Sequence, residues 1–94
     1  MLYWIGYDLD KPGQNYQDVI AQLEAWGAIR VLLSDWLLES SSTSQQIHDG
    51  LHTGKMDASD RLMVSEVFYD AAWSNLLKSS DDVLALYNRA ARRG

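Results

Sequence analysis

The middle of the chain constrains the fold more than any other part. Residues 28 to 34 and 36 to 40 form two β-favouring runs separated by Asp35 alone, a connection that allows only a tight hairpin around Ser34 and Asp35. An antiparallel pair placed centrally has to be built upon from both sides, and both flanks supply the material. Leu2 to Leu9 is an apolar, aromatic run that stops at the breaker-rich Asp10-Lys11-Pro12-Gly13, which predicts a strand and a turn. Tyr16, Val19, Ile20, Leu23 and Trp26 then recur at helical spacing, with Asn15 placed as N-cap, Asp18 in the first turn and Gly27 just past the end. Beyond the hairpin, the polar run Ser40 to Ser44 leads into Ile47 and Leu51. There Ser42 with Gln45, or Thr43 with Gln46, fits a capping box, and Gly50 and Gly54 keep the helix short.

Arg61 to Tyr69 reads as a fourth strand launched from Asp57-Ala58-Ser59-Asp60, whereas Ala71 to Lys78 fits neither period. A last helix starts at Ser79 or Ser80, with Asp81 and Asp82 in its first turn and Arg89, Arg92 and Arg93 at its end, as the helix dipole favours. Its apolar stripe is Val83, Leu84, Tyr87, Ala90 and Ala91. The predicted order is therefore β-α-β-β-α-β plus a C-terminal helix, an α+β ferredoxin-like sandwich. With 94 residues the chain is expected to form a single domain over 1–94.

Alternation along the strands assigns the faces. Tyr3, Ile5, Tyr7 and Leu9 share one side of the first strand and Leu2, Trp4, Gly6 and Asp8 the other. The Tyr3-Ile5-Tyr7 set suits packing under two helices, which leaves Asp8 on the open face. In the second strand the same reasoning turns Ile29, Val31 and Leu33 towards the helices and Arg30, Leu32 and Ser34 outwards. Trp4 and Leu32, joined by Trp36 and Met63 from neighbouring strands, then form an apolar patch on the order of a few hundred Å², a size that marks an interface. Either the C-terminal helix folds back over it or a second copy packs there. A homodimer would bring the two copies of Asp8 together across its two-fold axis.

Charge and chemistry narrow the functions. Eight basic against thirteen acidic side chains give a net charge of -5, the reverse of the basic footprint left by phosphate binding, so nucleic acid is a disfavoured partner. The absence of cysteine removes disulfides, thiolate catalysis and cysteine zinc sites, and fits a cytoplasmic location. The opening Leu2-Tyr3-Trp4-Ile5 predicts no secretory leader, and the composition predicts no membrane partner. Asp8 at the end of the first strand, with Asp10 two residues on, is the candidate carboxylate pair for Mg2+ or Mn2+. Acids at such junctions also cap turns. His48 and His52 share a helix face at a spacing feasible for zinc, but no His-Glu-x-x-His pattern accompanies them, and Asp49 and Lys55 make the region read as solvated surface. Gly13 is not part of any Gly-x-Gly-x-x-Gly or Walker pattern.

Tyr7-Asp8-Leu9 closing the first strand, Trp26-Gly27 ending the helix, then Arg30-Val31 and Ser34-x-Trp36 across the hairpin resemble the small CRISPR-associated Cas-two proteins. Asp8-Leu9-Asp10-Lys11-Pro12-Gly13 and Asp70-Ala71-Ala72-Trp73 are more similar still to a side branch labelled the SinR family. The resemblance spans residues 2 to 77. It implies a ferredoxin-like homodimer in which Asp8 is a metal ligand shared across the dimer for nuclease activity, or else a non-catalytic DNA-binding scaffold. Arg30 and Arg61 are then the cations left for nucleic-acid contact, with Ser34 as a nearby hydrogen-bonding group. The chain departs from the group in lacking an arginine after the first strand, where Lys11 is the only cation before Arg30, and in lacking its basic surface.

Two readings follow. One is a Cas-two-like, divalent-metal-dependent nuclease or nucleic-acid-processing accessory. The other is a non-catalytic acidic protein, an adaptor or inhibitor from a mobile-element or defence context, which the -5 balance favours.

Overall fold

The computed structural model describes residues 1–8, 16–67 and 71–93. The elements run β1 Leu2–Asp8, α1 Tyr16–Ala25, β2 Ile29–Leu32, β3 Asp35–Glu39, α2 Ser44–His52, β4 Arg61–Glu66 and α3 Ser80–Arg93. Among the described residues every strand pair is antiparallel and the sheet order is β2-β3-β1-β4, which makes them a small α+β domain of one four-stranded sheet and three helices. Asp10, Asn15, Asp70 and the side chains of Ala91, Arg92 and Arg93 lie outside the described residues.

Local chemistry sets the helix ends. Gly27 takes φ 81°, and the amides of Gly27 and Ala28 donate to the carbonyls of Glu24 and Leu23, each at 3.0 Å. This is a Schellman closure, whose left-handed residue glycine adopts without strain. Of the two capping boxes the sequence allows, α2 uses Thr43 with Gln46: the Gln46 amide donates to Thr43 Oγ1 at 3.1 Å, and the Thr43 amide donates to Gln46 Oε1 at 2.9 Å. α3 starts from Ser79, whose Oγ accepts the Asp82 amide at 3.3 Å, with Asp81 and Asp82 in the first turn.

The sheet has two apolar layers. Tyr3, Ile5 and Tyr7 of β1 pack with Val19 and Leu23 of α1 and Ile47 and Leu51 of α2, the side expected from the alternation. On the other side Leu2, Val31 and Leu37 pack against Val83, Leu86 and Ala90 of α3. The C-terminal helix therefore does cover part of the face opposite α1 and α2. Its buried stripe is Val83, Leu86, Tyr87 and Ala90, the i, i+3, i+4, i+7 set, whereas Leu84, expected in the stripe, is half exposed. Arg89 Nε, 3.2 Å from Glu39 Oε1, ties α3 to β3.

The hairpin differs from the sequence expectation by one position, with large effect. The turn is Leu33-Ser34, so β3 begins at Asp35. Arg30 then opposes Trp36, and Trp36 opposes Ile5. Residues directly opposite share a face, and a one-residue slip in register exchanges the faces. Trp36 is accordingly not on the open face but in the core, 4% exposed, and its Nε1 donates to the Tyr7 hydroxyl at 3.2 Å. Arg30 lies over the Trp36 ring at 5.5 Å, on the α1–α2 side, while Ile29 and Val31 pack towards α3. Leu32 pairs with Asp35 at the turn and keeps the side where it was expected, and it is the irregularity between Arg30 and Leu32, an extra residue in β2, that sets Arg30 instead of Val31 opposite Trp36. Leu33, expected to face the helices, is exposed in the turn.

The stretch from 71 to 77 contains neither helix nor strand. The Leu77 amide donates to the Val31 carbonyl at 3.0 Å, and Trp73 and Leu76 pack on the α3-side core. Trp73 Nε1 donates to Ser80 Oγ at 3.0 Å, and its ring centre lies 5.6 Å from that of Tyr87. Burial pushes the Tyr87 phenol above its ordinary pKa.

The placement of the α3 stripe leads to a direct stability test. Leu86→Ala should cost about 2–4 kcal/mol in urea denaturation, because it empties a packed site. Leu84→Ala should stay within about 0.5 kcal/mol of the parent.

Candidate functional site

α3 and the 71–77 stretch cover Leu2, Val31 and Leu37 on their face of the sheet, and the β1–β4 part around Trp4, Gly6, Asp8 and Met63 stays open. Cross-strand register assembles that open part: Trp4 opposes Leu37 and Ser65, Gly6 opposes Asp35 and Met63, and Asp8 opposes Arg61. Trp4 is 39% exposed, Met63 70% and Leu32 40%. Trp4, Gly6, Asp8, Arg61 and Met63 line a shallow groove of about 340 Å³. Three of the expected interface residues, Trp4, Leu32 and Met63, thus share one face, and the fourth, Trp36, is on the other.

Gly6 forms the floor of this groove. A Cβ built there would sit 2.8 Å from Asp35 Oδ1 and 3.5 Å from Trp4 Nε1, so the missing side chain is what lets Asp35 lean across β1. Asp35 belongs to the site although the sequence reading treated it as a turn residue. The signal was present in Gly6 itself, since a glycine inside a bulky strand marks a close approach. A second, mostly apolar groove of about 200 Å³ joins the open face beside Trp4 and Leu32, walled by Leu37, Trp73 and Tyr87. Trp73 could not be assigned there from the sequence, because 71–77 shows no periodicity to orient it.

At the end of the open part, Arg61 Nη1 donates to Asp8 Oδ2 at 3.0 Å, and both side chains are largely exposed. An exposed pair of this kind contributes about 0–1 kcal/mol. It does little to hold the fold, and a partner or an ion displaces it at small cost. Asp8 stands at the carboxyl end of β1 as expected, while Asp10 lies outside the described residues. Among the described residues there is no group of three or more His, Cys, Asp or Glu side chains placed to hold a metal ion.

The three expected nucleic-acid contacts are not brought together. Arg30 lies on the face opposite Arg61, and its Nε donates to the Leu33 carbonyl at 3.0 Å while the guanidinium covers Trp36. Its charge serves the hairpin. Ser34 is in the turn, its carbonyl accepting the Tyr7 amide at 3.1 Å. Arg61 alone of the three stands on the open face, already paired with Asp8. No helix among the described residues is long and apolar enough to cross a membrane.

The close approach at Gly6 is testable. Gly6→Ala should displace the Asp35 carboxylate, the end of a side chain that can turn away, at a cost below about 1 kcal/mol. Most of that cost should disappear in an Asp35→Ala background, as a double-mutant cycle would report.

Comparison of the chain with protein-family models, with curated proteins and with solved structures finds no match in any of the three.

Proposed function

We propose that this protein is a homodimeric, non-catalytic interaction module of ferredoxin-like fold that pairs through the open β1–β4 part of its sheet. The observation that carries this reading is the exposed apolar strip of Trp4 and Met63 with the Asp8–Arg61 pair at its end. The ferredoxin-like assignment is supported by the β-α-β-β-α-β order, by the antiparallel sheet order β2-β3-β1-β4, and by α1 and α2 packing on one face.

A second copy is the occupant that the charges favour. An isologous interface must be complementary to itself. A surface carrying an acid and a base side by side meets that condition, because a two-fold axis close to the pair sets Asp8 against the partner's Arg61 and Arg61 against the partner's Asp8. The apolar strip beside the pair supplies the burial that such an interface needs at its centre. A net charge of -5 argues against a polyanion as the main partner and suits an adaptor or inhibitor from a mobile-element or defence context, working in the cytoplasm. Wild-type protein should sediment as a dimer at micromolar concentration. Met63→Glu, a change at an exposed position, should give a folded monomer with unchanged far-ultraviolet circular dichroism, its thermal midpoint lowered by the lost association and no longer dependent on protein concentration. A wild type that stays monomeric across that range excludes the proposal.

The Cas-two-like nuclease is the second reading, favoured by one specific observation: Asp8 presents an exposed carboxylate at the carboxyl end of β1. In a dimer paired near Asp8, two such carboxylates would converge at the seam, a donor set suited to Mg2+ or Mn2+ and to activation of water against a phosphodiester. Arg61 would have to leave Asp8 for the ion to bind. On the non-catalytic reading, wild type and Asp8→Asn behave alike with short RNA and DNA in manganese. Cleavage by wild type that is lost in Asp8→Asn would install the nuclease reading in its place.

A further inference from the structure

His48 and His52 stand one turn apart on α2, with ring planes within 7° of parallel and centroids 5.6 Å apart. Neither the core nor the open sheet face uses them. His48 Nδ1 lies 3.1 Å from Asp49 Oδ1, and Gln45 Nε2 donates to that same oxygen at 2.8 Å. A carboxylate against Nδ1 selects the tautomer protonated at that nitrogen and leaves the Nε2 lone pair free to ligate. The same outer-shell arrangement orients metal-binding histidines in general.

We infer that α2 carries a two-histidine site for a borderline divalent ion such as Zn2+, with His48 and His52 as ligands, Asp49 orienting His48, and water completing the coordination. Ring nitrogens about 2.0–2.1 Å from a shared tetrahedral ion place two imidazole centres about 5 Å apart. The observed 5.6 Å is close to that separation, and the near-parallel rings must turn towards one another for both Nε2 lone pairs to meet one ion. Both histidines are part-exposed, which gives an ion access. His52 is the last residue of α2, at the end of the helix where the dipole favours a cation.

The charged groups around the pair are Asp49 and Lys55, and the Lys55 ammonium donates to the Gly50 carbonyl at 3.1 Å. β4, packed against α2, turns Leu62 and Val64 to that side, with Glu66 further along opposite Tyr3. Imidazole ligands select zinc, nickel or copper over magnesium, so this chemistry is separate from that of Asp8. Two protein ligands leave open positions, which describes an exchangeable site and not a closed structural one.

Titration calorimetry with zinc chloride, about one unit above the ordinary histidine pKa of about 6.5, tests the inference. One equivalent should bind to wild type, and the thermal midpoint should rise with zinc, because the ring pair is assembled only on the folded helix. His48→Ala and His52→Ala should each abolish the binding heat while leaving the far-ultraviolet circular dichroism of the zinc-free protein unchanged. Asp49→Ala should weaken binding about tenfold. Asp8→Asn should bind as wild type does, which separates this outcome from any result at the sheet face. Absence of binding to wild type at submillimolar zinc, or an equivalent retained by the double histidine variant, would overturn it.

Discussion

The placement of Trp36 opposite Ile5 is the contact on which the remaining structure depends. It sets the register of β3 against the central strand β1, and through the two-residue turn it sets β2 as well. A buried indole must satisfy its N–H, and the Tyr7 hydroxyl does so at 3.2 Å. That bond can form only with both rings on the α1–α2 side. Once Trp36 and Tyr7 share that side, Leu37 is turned to the other face opposite Trp4, and Arg30 is held over the indole instead of reaching solvent. A single register choice therefore decides which cation is left for recognition and which apolar side chains need a cover.

That cover is incomplete, and its limit is what leaves the candidate surface open. α3 buries Leu2, Val31 and Leu37 beneath Val83, Leu86 and Ala90, and the 71–77 stretch follows the β2 side through Leu77 and Val31. The cover leaves Trp4 and Met63 at the surface. An isolated exposed methionine is unremarkable on a folded domain. One standing in a groove with a tryptophan, a bare glycine floor and an exposed ion pair is the feature on which the proposed pairing rests. The weakness of the exposed Asp8–Arg61 pair suits that role, because both groups exchange partners at little cost.

Much of the fold was legible before any tertiary contact was known. The breakers at Gly27, the Thr43–Gln46 box and Ser79 place helix ends through bonds spanning three to five residues, and such signals are local by construction. The alternation of β1 assigned Tyr3, Ile5 and Tyr7 to the α1–α2 core, and Asp8, Trp4 and Met63 were legible as members of the other face. The α3 stripe was misplaced at Leu84 because a helix surface read alone does not reveal the angle at which it meets the sheet. Leu86 is buried instead, since the helix is docked by Leu2, Val31 and Leu37, which come from three different strands.

What the amino-acid order determined by itself was the set of elements, their sequence along the chain and the apolar side of the strand with unbroken alternation, because each depends on neighbours a few positions away. Only the tertiary structure decided the faces of β2, the burial of Trp36 and the separation of Arg30 from Arg61. β2 could pair with β3 in even register, with Val31 opposite Trp36, or with an extra residue that puts Arg30 there instead. Local propensity hardly separates the two, but they exchange the faces of Ile29, Arg30 and Val31. The side-chain packing of β1, β3 and α1, contributed by residues far apart in sequence, selects between them.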